Sequence, residues 1–105
     1  MRAVLALAAL AVGAAACTVR PTGAEVAWMA AGEDWPALAE RLRARGFFDL
    51  PATASGPRDG ACLEKVRGGA LAGIDVVRAC EGPGAPRVWR MNTHREDWTE
   101  LSVSR

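Results

Sequence analysis

The sequence predicts a small single α+β domain: a three- to four-stranded antiparallel sheet packed by one main helix and a short C-terminal helix, with one disulfide. Three observations lead to this prediction. One segment repeats apolar residues at helical spacing, several shorter segments resemble strands separated by Gly and Pro, and two cysteines lie in neighbouring strand-like segments. A chain of 105 residues has room for one such domain.

Residues 1–16 have the three-part layout of a secretory signal peptide. Arg2 carries the only charge, an apolar run from Val4 to Val12 follows, and small residues precede Cys17. The uncharged stretch is shorter than the roughly 20 apolar residues that span a bilayer, which favours a cleaved signal over a retained membrane helix. We therefore expect the protein to be exported.

The folded part is predicted to begin with a strand. Residues 17–24 contain Pro and Gly without apolar periodicity, so they are expected to form a tether and to leave residues 25–105 for the domain. Glu25–Met29 is interpreted as a short first strand, with Val26 and Trp28 on one face.

The main helix is predicted from Trp35 to Arg45. Its apolar residues fall at i, i+3, i+4 and i+7, namely Trp35, Leu38, Ala39 and Leu42. Asp34 is a suitable N-cap, and Gly46 follows as a left-handed C-cap.

Two strands are predicted at Cys62–Arg67 and Ile74–Cys80, joined by a glycine-rich connection. If the cysteines face each other across antiparallel strands, the same register sets three further pairs opposite one another: Glu64 with Arg78, Arg67 with Asp75, and Val66 with Val76. Two of these pairs join opposite charges and one is apolar, and such pairs stabilise a sheet. The pattern supports a disulfide between Cys62 and Cys80.

A further strand and a short closing helix complete the predicted domain. Arg87–Met91 carries strand-forming residues after a Gly- and Pro-rich breaker. Thr93-His94-Arg95-Glu96 has the pattern of a capping box, and Trp98 and Leu101 follow at helical spacing.

The charge balance disfavours partners that bind through electrostatic attraction alone. Without residues 1–16, which carry Arg2, 12 basic and 12 acidic side chains remain. A neutral domain without a Lys/Arg cluster is not expected to bind nucleic acid.

No set of residues predicts catalysis, a metal site or a cofactor. His94 is the sole histidine, so a hydrolytic triad with a histidine base would depend on it, and an exposed residue at a helix start explains it more simply. His94, Glu96 and Asp97 do not share a helical face, and there is no Cys-x-x-Cys pair. The glycine-rich connection lacks the lysine of a phosphate-binding loop.

Tryptophan and arginine supply the candidate binding face. Trp28 and Trp89 are the tryptophans less firmly assigned to a core, and Arg87 and Arg90 flank Trp89. Such a group suits an acidic partner or a peptide carboxylate.

The segment from Leu10 to Cys17 resembles a lipoprotein signal, in which small residues precede an acylated cysteine. This resemblance implies lipidation of Cys17 and attachment to a membrane through an N-terminal lipid. Ala14-Ala15-Ala16 also fits ordinary signal peptidase, so both processing routes stay open. Lipidation of Cys17 would leave Cys62 and Cys80 as an even pair in an oxidising compartment.

Residues 45–51, Arg-Gly-Phe-Phe-Asp-Leu-Pro, resemble a helix-to-strand passage of emfourin-like protease inhibitors. The leading hypothesis is a non-enzymatic cell-envelope lipoprotein that faces the periplasm and binds or supports another envelope component, with an envelope protein as a possible partner. The alternative, which follows the second resemblance, is a small exported inhibitor of a protease or other hydrolase.

Overall fold

The computed structural model describes residues 22–69 and 71–102. They form two helices and five strands: α1 (Thr22–Ala30), α2 (Trp35–Ala44), β1 (Phe48–Asp49), β2 (Cys62–Gly69), β3 (Gly73–Cys80), β4 (Arg87–Asn92) and β5 (Thr99–Leu101). The strands make one antiparallel sheet in the order β1-β2-β3-β4-β5. The α+β class is confirmed. The predicted signal peptide and Cys17 lie outside the described residues.

Both helices cover one face of the sheet, which we call the helix face. The main core lies between the helices and the sheet, and Leu101 packs at its border. It includes Val26, Leu38, Leu42, Leu63, Val77, Ala79 and Val88. Burial of this apolar surface is the main favourable contribution to folding.

The opposite face, which we call the open face, is covered over part of its area by residues 50–61, which lead from β1 into β2 and which we call the covering segment. Leu50, Cys62, Cys80 and Trp89 form a second buried cluster there, and Ala54 and Trp98 pack against it. The Cys62–Cys80 disulfide is formed, with the sulfurs 2.01 Å apart. The predicted pairing of the two cysteines is thus confirmed.

The predicted main helix is confirmed to within one residue at its C-terminal end. The Asp34 carboxylate accepts a hydrogen bond from the Ala37 amide at 3.3 Å, which caps the N-terminus. At the other end Gly46 has φ +90°, and the amides of Gly46 and Phe47 donate to the carbonyls of Arg43 and Leu42. This Schellman arrangement satisfies carbonyls that the helix leaves unpaired.

The predicted first strand is wrong, because Glu25–Met29 lies within α1. The buried residues Gly23, Val26, Ala27 and Ala30 recur at i, i+3, i+4 and i+7. Small residues carry most of that stripe, and Trp28, the largest side chain of the segment, is exposed on the outside of the helix. The helix begins at Thr22, three residues before the predicted start of the domain.

The sheet has five strands, not three or four. The predicted strands β2, β3 and β4 are present, and all three predicted cross-strand pairs are confirmed in the register of β2 with β3. The strands that the prediction missed are the two short edge strands β1 and β5, of two and three residues.

The predicted C-terminal helix is wrong. Residues 93–95 form a turn, and Glu96 at φ 59° ends it in the left-handed conformation. Trp98 then packs on the open face and Leu101 against the helix-face core. A helix would place these two residues on one side, whereas extended backbone sends them to opposite sides of the sheet.

Within the described ranges, neither helix has the length and apolar character needed to cross a membrane.

Candidate binding surface

Part of the open face carries exposed apolar side chains instead of a covering layer. Phe48, Val66 and Ile74 are 46%, 46% and 43% exposed. Phe48 pairs with Glu64 and Ile74 with Gly68, so all three side chains lie on the face of Val66 and form a diagonal row across β1, β2 and β3. We call this row the apolar stripe. Contiguous exposed apolar residues are typical of interaction sites.

One edge of the same region is open. β1 pairs with β2 only at Leu63 and Glu64, so no strand within residues 22–69 and 71–102 pairs with the outer edge of β2 beyond that point. The Leu50 amide donates to the Cys62 carbonyl, which shows that even-numbered residues of β2 direct their backbone groups toward this edge. Val66 and Gly68 therefore direct their N–H and C=O groups outward.

The helix-face side chains of this edge are basic. Lys65 donates to the Arg45 carbonyl at 2.9 Å and is in no ion pair with a described carboxylate. Arg67 lies opposite Asp75, whose carboxylate accepts hydrogen bonds from Arg90 and Asn92. The edge of β2 thus joins an apolar stripe on one face to two basic side chains on the other.

The tip of the β2–β3 hairpin presents one further apolar residue. Leu71 is 95% exposed. The His94 Nε2 atom lies 3.2 Å from the Leu71 carbonyl oxygen, and the Asn92 amide donates to the Ala72 carbonyl at 3.1 Å. Side chains from the end of β4 and from the turn after it therefore hold the backbone beneath Leu71.

The structure separates the four residues of the predicted binding face. Arg87 and Trp89 lie together on the open face, with the Arg87 guanidinium 4.9 Å from the Trp89 ring centroid. Trp89 is buried, so it offers little contact area. Arg90 points to the helix face and binds Asp75, while Trp28 lies on the outside of α1.

Arg87 is engaged by carboxylates of its own domain. It makes two hydrogen bonds to Glu100, at 2.8 and 2.9 Å, and one to Asp59 at 3.2 Å. The hydrogen bond with Glu100 is the largest cause that raises the pKa of Arg87, and the bond with Asp59 is the second. The hydrogen bond with Arg87 in turn lowers the pKa of Glu100. An acidic ligand would have to displace these carboxylates, so this cluster favours a structural role.

A second arginine fixes the covering segment to the open face. Arg78 bonds Glu64 through Nε and Nη2, and its Nη1 donates to the Pro57 carbonyl at 2.7 Å. The Trp98 ring centroid lies 4.4 Å from the guanidinium. These contacts attach the covering segment to β2 and β3.

The structure places His94, the one histidine of the sequence, in the turn that follows β4. His94 is exposed and contacts the hairpin, and its amide donates to the Asn92 side chain. Within the described ranges, no three His, Cys, Asp or Glu side chains lie close enough to hold a metal ion. Cys62 and Cys80 are joined in the disulfide and are buried.

The sequence reasoning missed the apolar stripe. Val66 was matched with Val76 as an apolar pair, but Val76 is buried and Val66 is exposed. The sequence signal that could have indicated the stripe is the small size of the side chains in the covering segment. Ala, Ser, Gly and Pro dominate the connection into β2 and provide few large side chains to cover the hairpin end.

No family model, no curated protein and no solved structure matches the chain.

Proposed function

We propose that this chain is a non-enzymatic lipoprotein of the cell envelope that binds another envelope protein through the apolar stripe of Phe48, Val66 and Ile74. The observation that carries the proposal is this row of half-exposed apolar side chains on a sheet face whose other part is covered. A soluble domain benefits from covering such a row, and binding a partner achieves this.

Two features support the envelope location. The N-terminal segment resembles a lipoprotein signal that ends at Cys17. The buried Cys62–Cys80 disulfide suits an oxidising compartment, since cytosolic thiols are normally kept reduced. Palmitate labelling of the protein in cells tests the anchor. Label should disappear in Cys17→Ser, and label that persists in this variant would reject lipidation at this residue.

Site-specific photocrosslinking in intact cells tests the binding surface. A photoreactive residue at Val66 should give a discrete protein adduct, whereas the same residue at exposed Glu40 on α2 should not. Val66→Asp should weaken capture of that adducted protein, because a charge would be buried at the contact. Equal adducts from positions 66 and 40 would reject the stripe as the binding surface.

A second candidate function is inhibition of a protease or other hydrolase. The observation that favours it is Leu71, a fully exposed apolar side chain on a hairpin whose backbone is held by His94 and Asn92. A side chain presented from a preorganised backbone can fill a specificity pocket at low entropic cost. Leu71→Asp should abolish inhibition of an exported protease while leaving the crosslink from position 66 intact. The reverse result would favour the stripe.

A further inference from the structure

We infer that the partner contributes an extended segment that adds a strand to the outer edge of β2 at Val66 and Gly68, with apolar and acidic side chains alternating along it. This inference rests on the proposed function and specifies its ligand. Strand addition to an open sheet edge obtains affinity from main-chain hydrogen bonds and specificity from alternate side chains.

The backbone of β2 sets the register of the added strand. Val66 and Gly68 each offer one N–H and one C=O toward the open edge, and no strand in the described part of the chain uses them. An antiparallel segment that pairs there places one residue opposite Val66 and another opposite Gly68, and these two residues exchange hydrogen bonds with β2. The side chains of those two residues lie on the open face, beside the apolar stripe, and should therefore be apolar.

The one residue between them lies on the helix face, opposite Arg67 and diagonally from Lys65. Lys65 has a backbone carbonyl as its partner and is in no ion pair with a described carboxylate. Opposite charges paired across strands stabilise a sheet and like charges weaken it. An acidic side chain is consequently favoured at this position of the ligand.

The same charges disfavour a second copy of this chain as the occupant. In antiparallel pairing of two β2 edges, the register that uses all the outward backbone groups sets Val66 opposite Gly68 of the second copy. It also sets Arg67 directly opposite Arg67 of the second copy. Basic residues on an exposed edge are a known protection against self-association, and an acidic segment turns that repulsion into attraction.

The test uses the intact chain and two synthetic capped peptides of about seven residues, the length of an ordinary strand. One alternates Val and Glu and the other alternates Val and Lys. We expect the Val/Glu peptide to bind about tenfold more tightly at low salt, with the difference shrinking as salt is added. Equal binding of both peptides, or no binding of either, would overturn the inference.

Two controls separate strand addition from general attraction. N-methylation of the Val residues, whose amides face β2 in this register, should remove binding, while N-methylation of the Glu residues should leave it. The charge-reversed variant K65E/R67E should prefer the Val/Lys peptide instead, and this gain of binding cannot arise from misfolding. Binding that tolerates N-methylated Val would overturn the inference.

The outcome is separable from that of the proposed function. If the peptides do not bind but a photoreactive residue at Val66 still gives its adduct, then strand addition is wrong and docking on the stripe stands. If position 66 gives no adduct while the Val/Glu peptide binds, the edge is competent but the proposed envelope partner is rejected.

Discussion

At the scale of single residues, Arg78 is the one buried charged residue in the described part of the chain. Its side chain is 3% exposed and that of its partner Glu64 is 13% exposed, and it also bonds the Pro57 carbonyl. Removing one member of a buried ion pair costs more than the pair itself contributes, because the remaining charge is left without compensation. Arg78 therefore makes the covering segment and the sheet depend on each other.

Arg78→Met should lower the free energy of unfolding by about 3 kcal/mol, since it leaves the Glu64 carboxylate buried without its partner. The double variant Arg78→Met with Glu64→Gln should recover part of that loss. Urea unfolding of the four proteins in this double-mutant cycle measures the coupling. Strictly additive losses would show that the two side chains act independently.

The pKa of Asp75 is lowered mainly by a neutral side chain, that of Asn92. The hydrogen bond from Asn92 is the largest cause that lowers the pKa of Asp75, with Arg90 adding to it and desolvation opposing it. A lowered folded-state pKa means that this contribution to stability is present above the unfolded pKa of about 3.9. It is lost as the pH falls through the lower folded value.

Asn92→Ala should move the pKa of Asp75 upward, because it removes the largest cause of the lowering. The stabilising contribution of Asp75 should then disappear at a higher pH than in the parent protein. NMR titration of the Asp75 carboxyl group measures the shift. Thr93→Val is the matched control, since Thr93 bonds the neighbouring Ile74 amide but not Asp75. An unchanged Asp75 titration in Asn92→Ala would contradict this assignment.

At the scale of elements, the prediction was correct where the sequence itself carries the signal. It failed where the conformation depends on packing against distant parts of the chain. α2 carries its own cap, apolar stripe and C-terminal glycine, and β2 and β3 are aligned by their cysteines, so both could be derived from sequence. α1 was missed because Gly23, Ala27 and Ala30, which give a weak apolar signal, make up much of its buried side.

The wrongly predicted C-terminal helix and the unpredicted exposure of the apolar stripe have the same origin. The Thr93 hydroxyl, which was the expected helix cap, instead accepts a hydrogen bond from the Ile74 amide of β3. The Asn92 side chain accepts from the His94 amide within the β4–β5 turn. Likewise, Val66 is exposed because the covering segment packs against Cys62, Cys80 and Trp89 and leaves Val66 uncovered. Neither fact is encoded within a few residues of the position concerned.

Gly46→Ala tests the local determinants of α2. At φ +90° a side chain is strained whatever the available space, so the substitution should cost about 1 kcal/mol of unfolding free energy. Gly84→Ala is the matched control, because a Cβ there meets no atom within 4 Å and its φ is not positive. Equal melting temperatures for the two variants would argue against the left-handed cap.

At the scale of the whole molecule, the disulfide links stability to the cellular compartment. Small domains bury a limited share of their surface, so a covalent link between β2 and β3 contributes a large part of the stability. The two cysteines are 18 residues apart, and closing a loop of this size in the unfolded chain is worth about 3 kcal/mol in the chain-entropy model.

Deleting residues 2–16 should keep the chain in the cytosol, where the thiols of Cys62 and Cys80 stay reduced. We expect that form to unfold at lower urea concentration, with a loss of about 3 kcal/mol, and reoxidation in vitro should restore it. Because a typical domain is stable by only about 5–15 kcal/mol, such a loss should also lower its abundance in cells. Cys62→Ala with Cys80→Ala, expressed with its N-terminal segment, should match the cytosolic form in unfolding. Equal stability of the reduced and oxidised chains would show that the fold does not depend on an oxidising compartment, and it would remove one support for export.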